Sequence, residues 1–408
     1  MLIPFTLFKT RAGEGFRKFL ANQCKVNAVH DMVRLKPFEN ATTRTSMILV
    51  ENGKTKFPIN SISWNKNENM SLNSHLSVKD VIYFTSRKKI DINPIEGISK
   101  PESSWLFLKN EVVKAIQPVL GVSEYVAVEG SNTRGANGIF WLDMVEDVSG
   151  NIRVKNFVEG GKIKVEEVTT TIEKDHVYSL LRGREVEKWK TVPTKAILVP
   201  HNKKTGKVID EETLKVKTPK TYNYLSRFLH TLENRTLYGK SIKREFPFYT
   251  MFQINKNSFS PHTVVWKEIA GAIAGAGEFY ASVVQHPKNN LLKNDEIISD
   301  HKLMSVSLST EDEACYVAGF LNSAPIRLIV AGYTVETSMS THILKHVRIP
   351  KFNPRDTTHA EISQKVKSIM NLAPEKIKPV EYEIDHLVGK VYGMSFSQIR
   401  SVQKSLET

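Results

Sequence analysis

Leu2-Ile3-Pro4-Phe5-Thr6-Leu7-Phe8 is followed by a break at Gly13-Glu14-Gly15, by Phe16, Phe19 and Leu20, and by a second apolar stretch over residues 26–33. A short apolar run, a glycine break, apolar residues at helical spacing and another short run spell strand, helix, strand. Beyond Lys36-Pro37-Phe38-Glu39-Asn40 come Thr45-Ser46-Met47-Ile48-Leu49-Val50, then Asn52-Gly53, then Lys56-Phe57-Pro58-Ile59. Asn-Gly between two strand-like runs predicts a hairpin, so an antiparallel pair is expected to close a mostly parallel sheet. Residues 1–65 would then be the last third of that mostly parallel sheet rather than a whole domain.

Outward from this unit the texture changes. Residues 66–104 are polar, hold Pro94 and Pro101, and read as a linker with one short helix over 77–84. Residues 105–350 alternate short apolar segments with glycines, which predicts a mixed α+β domain rich in loops, where binding work concentrates. Helices are expected over 222–233, from the spacing of Tyr224, Leu225, Phe228, Leu229 and Leu232, and over 311–324, stopped by Pro325. Residues 351–408 predict a helical tail, with helices over 359–372 and 380–392 and Gly393 as a cap.

Lys and Arg number 57 against 43 Asp and Glu, a formal charge of +14 at 25% charged and 40% hydrophobic residues. That mixture excludes collagen-like, coiled-coil and wholly disordered chains. The excess sits mainly in residues 1–100, with 16 basic against 8 acidic side chains, and in residues 201–260, with 12 against 5. A patterned surplus of this kind points to a polyanionic partner. Cys24 and Cys315 cannot build a disulfide framework, lack metal-ligand spacing and are expected to be small core residues of a cytoplasmic protein. No run reaches the ~18 apolar residues of a membrane span.

Several enzyme classes leave no trace: no phosphate-loop signature, no H-E-x-x-H zinc helix, no G-x-S-x-G elbow and no C-x-x-C pair. The glycine-rich stretch at residues 270–277 fails G-x-G-x-x-G and reads as close backbone packing. His30-Asp31 and Asp385-His386 are adjacent pairs with expected structural roles.

The opening segment, Gly15-Phe16-Arg17-Lys18-Phe19-Leu20, Val29-His30-Asp31 and Leu35-Lys36-Pro37-Phe38 before Arg44-Thr45-Ser46-Met47-Ile48-Leu49-Val50 together resemble the back half of a gamma-class adenine-N6 DNA methyltransferase. Leu180-Leu181-Arg182-Gly183-Arg184-Glu185-Val186 with Trp189 and Ile197-Leu198-Val199-Pro200 resembles the TaqI-like target-recognition domain that follows it. So do Leu321-Asn322-Ser323-Ala324-Pro325-Ile326-Arg327 and Ile343-Leu344-Lys345-His346-Val347-Arg348-Ile349-Pro350. Glu383-Ile384-Asp385-His386-Leu387-Val388 with Val391-Tyr392-Gly393-Met394 is similar to the ends of combined restriction-modification chains.

The resemblance implies that residues 1–65 are the end of a Rossmann-like methyltransferase sheet. It also implies S-adenosylmethionine as cofactor, held by a glycine-rich loop, and methylation through an Asn/Asp-Pro-Pro-aromatic loop. Neither motif occurs in these residues; Asn93-Pro94 and Asn353-Pro354 each stop at one proline. The sequence is expected to begin just downstream of the methylation motif. The chain is therefore expected to act as the specificity half of a split or truncated methyltransferase, with no catalytic or metal-ligating residue of its own. Its partners would be double-stranded DNA and a separately encoded catalytic half.

Phe38 matches the family's aromatic that holds the extruded adenine, where stacking is worth ~1–3 kcal/mol; the alternative is a plug at the sheet edge. Arg182 and Arg184 would meet phosphates or a guanine edge, or else pair with Glu185 and Glu187 in a structural turn. Arg134, in the polar Asn132–Gly138 stretch, would approach a phosphate or lie in an ordinary exposed connection. Lys203, Lys204, Lys207 and Lys217 would neutralise phosphates or form a solvated hairpin tip. A stand-alone non-catalytic DNA-binding specificity protein is the alternative function, and a nuclease has only scattered acidic residues in its favour.

Overall fold

The computed structural model describes residues 1–35, 37–38, 44–67, 73, 75–236, 245–268, 279–286, 289–333 and 339–406. The chain is α+β, with three main sheets and a helical body at its carboxyl-terminal end.

The first sheet orders its strands Leu2–Pro4, Thr45–Asn52, Cys24–Asp31, Ile59–Lys66, Thr85–Pro94 and Trp105–Phe107. Thr45–Asn52 is antiparallel to both Leu2–Pro4 and Cys24–Asp31, so these two run the same way with a strand between them, and helix Glu14–Gln23 connects them. The strand–helix–strand reading holds in direction. The hairpin reading does not: Cys24–Asp31 lies between the two strands flanking Asn52-Gly53 and pairs parallel with Ile59–Lys66. Asn52 still ends its strand and Gly53 takes φ +142°, so the turn chemistry is used to leave the sheet and cross a neighbour. The sheet is mostly antiparallel, with one parallel pair.

The polar segment after residue 66 is more than a connection. Ser77 caps helix Val78–Phe84 through a reciprocal bond with Asp80, where a helix was predicted. Thr85–Pro94 and Trp105–Phe107 then complete the sheet. Their charged run Arg87-Lys88-Lys89 hides a strand whose outer end is solvated while its inner end, Ile92 to Pro94, is buried.

The second sheet runs Thr169–Glu173, Asn151–Asn156, Trp141–Val148, Lys195–Leu198, Val177–Leu181 and Ile297–Ser299, antiparallel except for the last pair. Ile139 and Phe140 sit in the short helix Asn137–Phe140 ahead of it. The expected helix over 222–233 forms as Pro219–Ser226 and Leu229–Glu233. The third sheet orders Ala281–Val283, His262–Lys267, Leu303–Leu308 and Val128–Glu129, all antiparallel.

Helix Glu311–Asn322 is almost wholly buried and carries Cys315, whose thiol burial pushes up to about 12; Cys24 is half-buried. The chain turns at Ser323 and resumes as helix Ala324–Tyr333, with Pro325 in its first turn, where a missing N–H costs nothing. Thr357–Ile369, Pro374–Val391 and Phe396–Leu406 follow. Gly393, at φ +69°, ends the second of these: its N–H bonds the Lys390 carbonyl (3.0 Å) and the Met394 N–H bonds the Gly389 carbonyl (2.9 Å), the pairing of a Schellman cap. No single helix among the described residues is long and apolar enough to cross a membrane.

Candidate nucleic-acid interface

The three landmark stretches in the carboxyl-terminal half, 321–327, 343–350 and 383–394, turn out to hold the fold together. Asn322 bonds both backbone groups of Ala281, accepting from its N–H (2.9 Å) and donating to its carbonyl (2.7 Å), so its amide extends the third sheet sideways. Asp385 caps helix Ala324–Tyr333 from outside, accepting from the Ala324 N–H (2.7 Å) and from Gln403 Nε2 (2.9 Å); burial pushes its carboxyl up. His386 stacks on Phe396. The Arg348 N–H bonds the Val119 carbonyl (2.8 Å) and Tyr392 donates to the Arg348 carbonyl.

Arg182 is 5% exposed and does not face a ligand. Its Nη2 lies 2.5 Å from Glu185 Oε1 and donates to Thr194 Oγ1 (2.8 Å), and its guanidinium lies over the rings of Trp141 and Phe157. Glu185 also accepts from the Arg182 N–H (2.9 Å), which closes the turn Gly183–Glu185. The pairing alternative therefore applies to Arg182, and the base-contact reading is corrected. Arg184, two positions on, is exposed.

The Asn132–Gly138 stretch is also internal rather than presented. Asn132 exchanges two backbone bonds with Phe252 (2.9 Å each), Asn137 donates to the Gly160 carbonyl (3.0 Å), and Thr133 and Asn137 are buried. Arg134, at φ 55°, lies half-buried with its guanidinium over the Phe252 ring. Arg235 clamps this stretch from behind: 1% exposed, it donates to the carbonyls of Leu232, Thr133 and Phe248. Nothing in its sequence surroundings marks it.

Residues 201–208 form a hairpin tip. His201 and Val208 bridge, the Asn202 N–H bonds the Lys207 carbonyl (2.8 Å), and Asn202 Oδ1 accepts from the N–H groups of Lys204 and Thr205. Gly206, at φ +73°, packs so closely on Asn255 that a Cβ would fall 2.4 Å from its Cα. His201 anchors the tip from inside, with Nδ1 on the Gly206 carbonyl (2.9 Å) and Nε2 accepting the Met251 N–H (3.2 Å). Burial pushes this neutral imidazole down to about 4. Lys204, Lys207 and Lys217 are exposed and form no ion pair among the described residues, whereas Lys203 pairs with Glu296 (2.7 Å).

Phe38 is 49% exposed; Lys36, Glu39 and Asn40 lie outside the described residues, as does the glycine-rich 270–277 stretch. It follows strand Cys24–Asp31, at the end where that strand and its parallel neighbour Ile59–Lys66 finish. Asp31 faces inward: burial raises its carboxyl against the opposing pull of Lys9. His30 turns to the other face and accepts the Trp64 indole N–H on Nδ1 (3.0 Å).

No family model matches the chain, and no curated protein does. Among solved structures, it is similar to the Type IIL restriction-modification enzyme MmeI, solved in complex with DNA, at 10% identity over 95% of this chain and 46% of that one, with a TM-score of 0.49. It is also similar to the type IIG restriction endonuclease BpuSI, at 12% identity over 98% and 47%, with a TM-score of 0.35. The chain spans about half the length of both.

Proposed function

We propose that this chain recognises duplex DNA for site-specific adenine-N6 methylation in a restriction-modification system, with donor binding and methyl transfer supplied by groups outside these 408 residues. The observation that carries this reading is Phe38, a large aromatic left half exposed in the segment that follows strand Cys24–Asp31. An extruded base needs such a face. Exposed Arg184, Lys204, Lys207 and Lys217 supply phosphate contacts on the second sheet's surface.

S-adenosylmethionine does not fit the residues described. Strand Leu2–Pro4 passes into helix Thr6–Lys9 through Phe5 with no glycine loop, and Gly13 packs so tightly that a Cβ would fall 2.0 Å from the Leu7 carbonyl oxygen. The outer edge of Leu2–Pro4 has no strand partner among the described residues, and Leu2 and Leu49 are exposed nearby. An open edge of this kind favours a further strand, as a catalytic half would bring.

The test mixes the purified chain with the product of the neighbouring upstream gene and follows labelled methyl transfer from S-adenosylmethionine to DNA. Transfer only in the mixture is expected. Site-specific DNA binding by the chain alone, with no methylation gained from the partner, would leave a stand-alone specificity protein instead.

A further inference from the structure

The first sheet has one closed face and one open face. Ile3, Val29, Ile48, Ile59 and Ile92 point into a core with Phe8, Leu20 and Trp105. The opposite face is set by the register Leu2–Met47–His30–Ile62–Lys89, a row of partners across five strands in which no residue is buried. Beside it, Trp64 pairs with Arg87. The Trp64 indole N–H is held by His30, and the Arg87 guanidinium lies over the indole ring at 5.4 Å. An arginine lodged on an aromatic face keeps its N–H fork free and loses little freedom on meeting a phosphate.

The charges around this pair are uncompensated. Lys66, Arg87, Lys88 and Lys89 are all exposed, and none forms an ion pair among the described residues. The sequence shows a basic excess in residues 1–100 without showing where it gathers. The fold gathers it on strand Thr85–Pro94 and the end of Ile59–Lys66, and Asp31, from which the chain leaves towards Phe38, pairs with Ser63 next to Trp64.

We propose that this rim of the first sheet is a second DNA contact, in which Arg87, Lys89 and Lys66 take the phosphodiester backbone and Trp64, braced by His30, positions Arg87. The proposal rests on the DNA-recognition reading and extends it from the loop surfaces to the sheet. Its occupant is a phosphate backbone because the charge is one-signed, unpaired and spread along a strand edge. Trp64 is a positioning residue: one face of its ring is covered and its N–H is used.

The experiment measures affinity of the full chain for a mixed-sequence duplex as a function of salt, for the wild type, Arg87→Gln/Lys89→Gln, Lys204→Gln/Lys207→Gln and Trp64→Ala. Each phosphate contact contributes about 0.9 to the slope of log affinity against log salt, so the Arg87/Lys89 pair should lower the slope by about 2. The loss should be uniform across duplex sequences. Trp64→Ala should weaken binding in the wild type and add nothing once Arg87 is glutamine, which a merely structural tryptophan would not do. An unchanged slope in Arg87→Gln/Lys89→Gln, with the hairpin variant still reduced, overturns the rim contact and leaves DNA recognition standing. Absence of duplex binding by the wild-type chain overturns both. If the rim variant leaves the slope alone but lowers methylation in the two-protein mixture, the face docks a protein and the proposal fails.

Discussion

At the scale of single residues, exposure separates roles that look alike in sequence. Arg182 and Arg184 flank one glycine, yet the first is locked to Glu185 and Thr194 inside the protein and the second is exposed. Arg182→Ala should therefore cost about 3–5 kcal/mol in denaturant unfolding, because Glu185 is left charged and buried, and should leave the salt dependence of DNA binding unchanged. Phe38→Ala should do the reverse. With the ring 49% exposed, stability should shift by no more than about 0.5 kcal/mol. Fluorescence of 2-aminopurine at the target base, read with the catalytic partner present, should report extrusion weakened by about 1–3 kcal/mol while duplex affinity stays near wild type. A Phe38→Ala chain that fails to fold would return that ring to the core.

At the scale of elements, the hairpin 201–208 is held to the second sheet's body by one neutral imidazole. His201 accepts the Met251 N–H on Nε2, a bond that needs the uncharged ring, and donates its Nδ1–H to the Gly206 carbonyl. Its folded value, about 4, lies below the ordinary 6.5, so the unfolded chain binds a proton first as pH falls. The stability it contributes is complete above about pH 6.5 and is lost as pH falls towards about 4. His201→Gln keeps a donor and an acceptor without the titration, and should flatten the acid limb of unfolding by about 3 kcal/mol relative to the wild type. His30, His176, His346 and His359, all lowered by burial, add to the acid limb in the same direction, as do carboxyls held low by their partners such as Asp175 beside Lys293 and Asp312 beside Lys367. Elements such as this hairpin were legible because their signals are local: polar turn residues at its tip, a cap at Gly393, a helix stop ahead of Pro325. What was not legible was pairing. Asn52-Gly53 has hairpin chemistry, but the partner of Thr45–Asn52 is chosen by burial of Val29 against Ile48, a contact no dipeptide records. Likewise Arg87-Lys88-Lys89 looks like linker because half the strand is solvated, and that reading hid an exposed basic surface of the sheet.

At the scale of the whole molecule, the first sheet and the helical body share a wall. Leu106, on the sheet's last strand, lies so near Gly332 that a Cβ there would fall 2.2 Å from its Cδ2, and Leu106 belongs to the same core as Ile326 and Val330. Lys9 crosses this wall: buried beside the rings of Phe5 and Phe107, it donates Nζ to the Gly332 carbonyl near the end of helix Ala324–Tyr333. Arg17 braces the same corner with bonds to the carbonyls of Leu7, Thr10, Glu102 and Ser103. Burial pushes the Lys9 amine down to about 7, opposed by Asp31. Between about pH 7 and 10.5 the unfolded chain thus binds a proton that the folded chain does not, so stability should rise with pH across that window. From about pH 7 to about pH 9 the gain is about 2 kcal/mol, read as a rising denaturant midpoint. Lys9→Met keeps the stem against Phe5 and Phe107 and removes the charge, so it should abolish that rise and match or exceed wild-type stability at about pH 7. A Lys9→Met chain that retains the alkaline rise would show that the joint between sheet and helices titrates through another group.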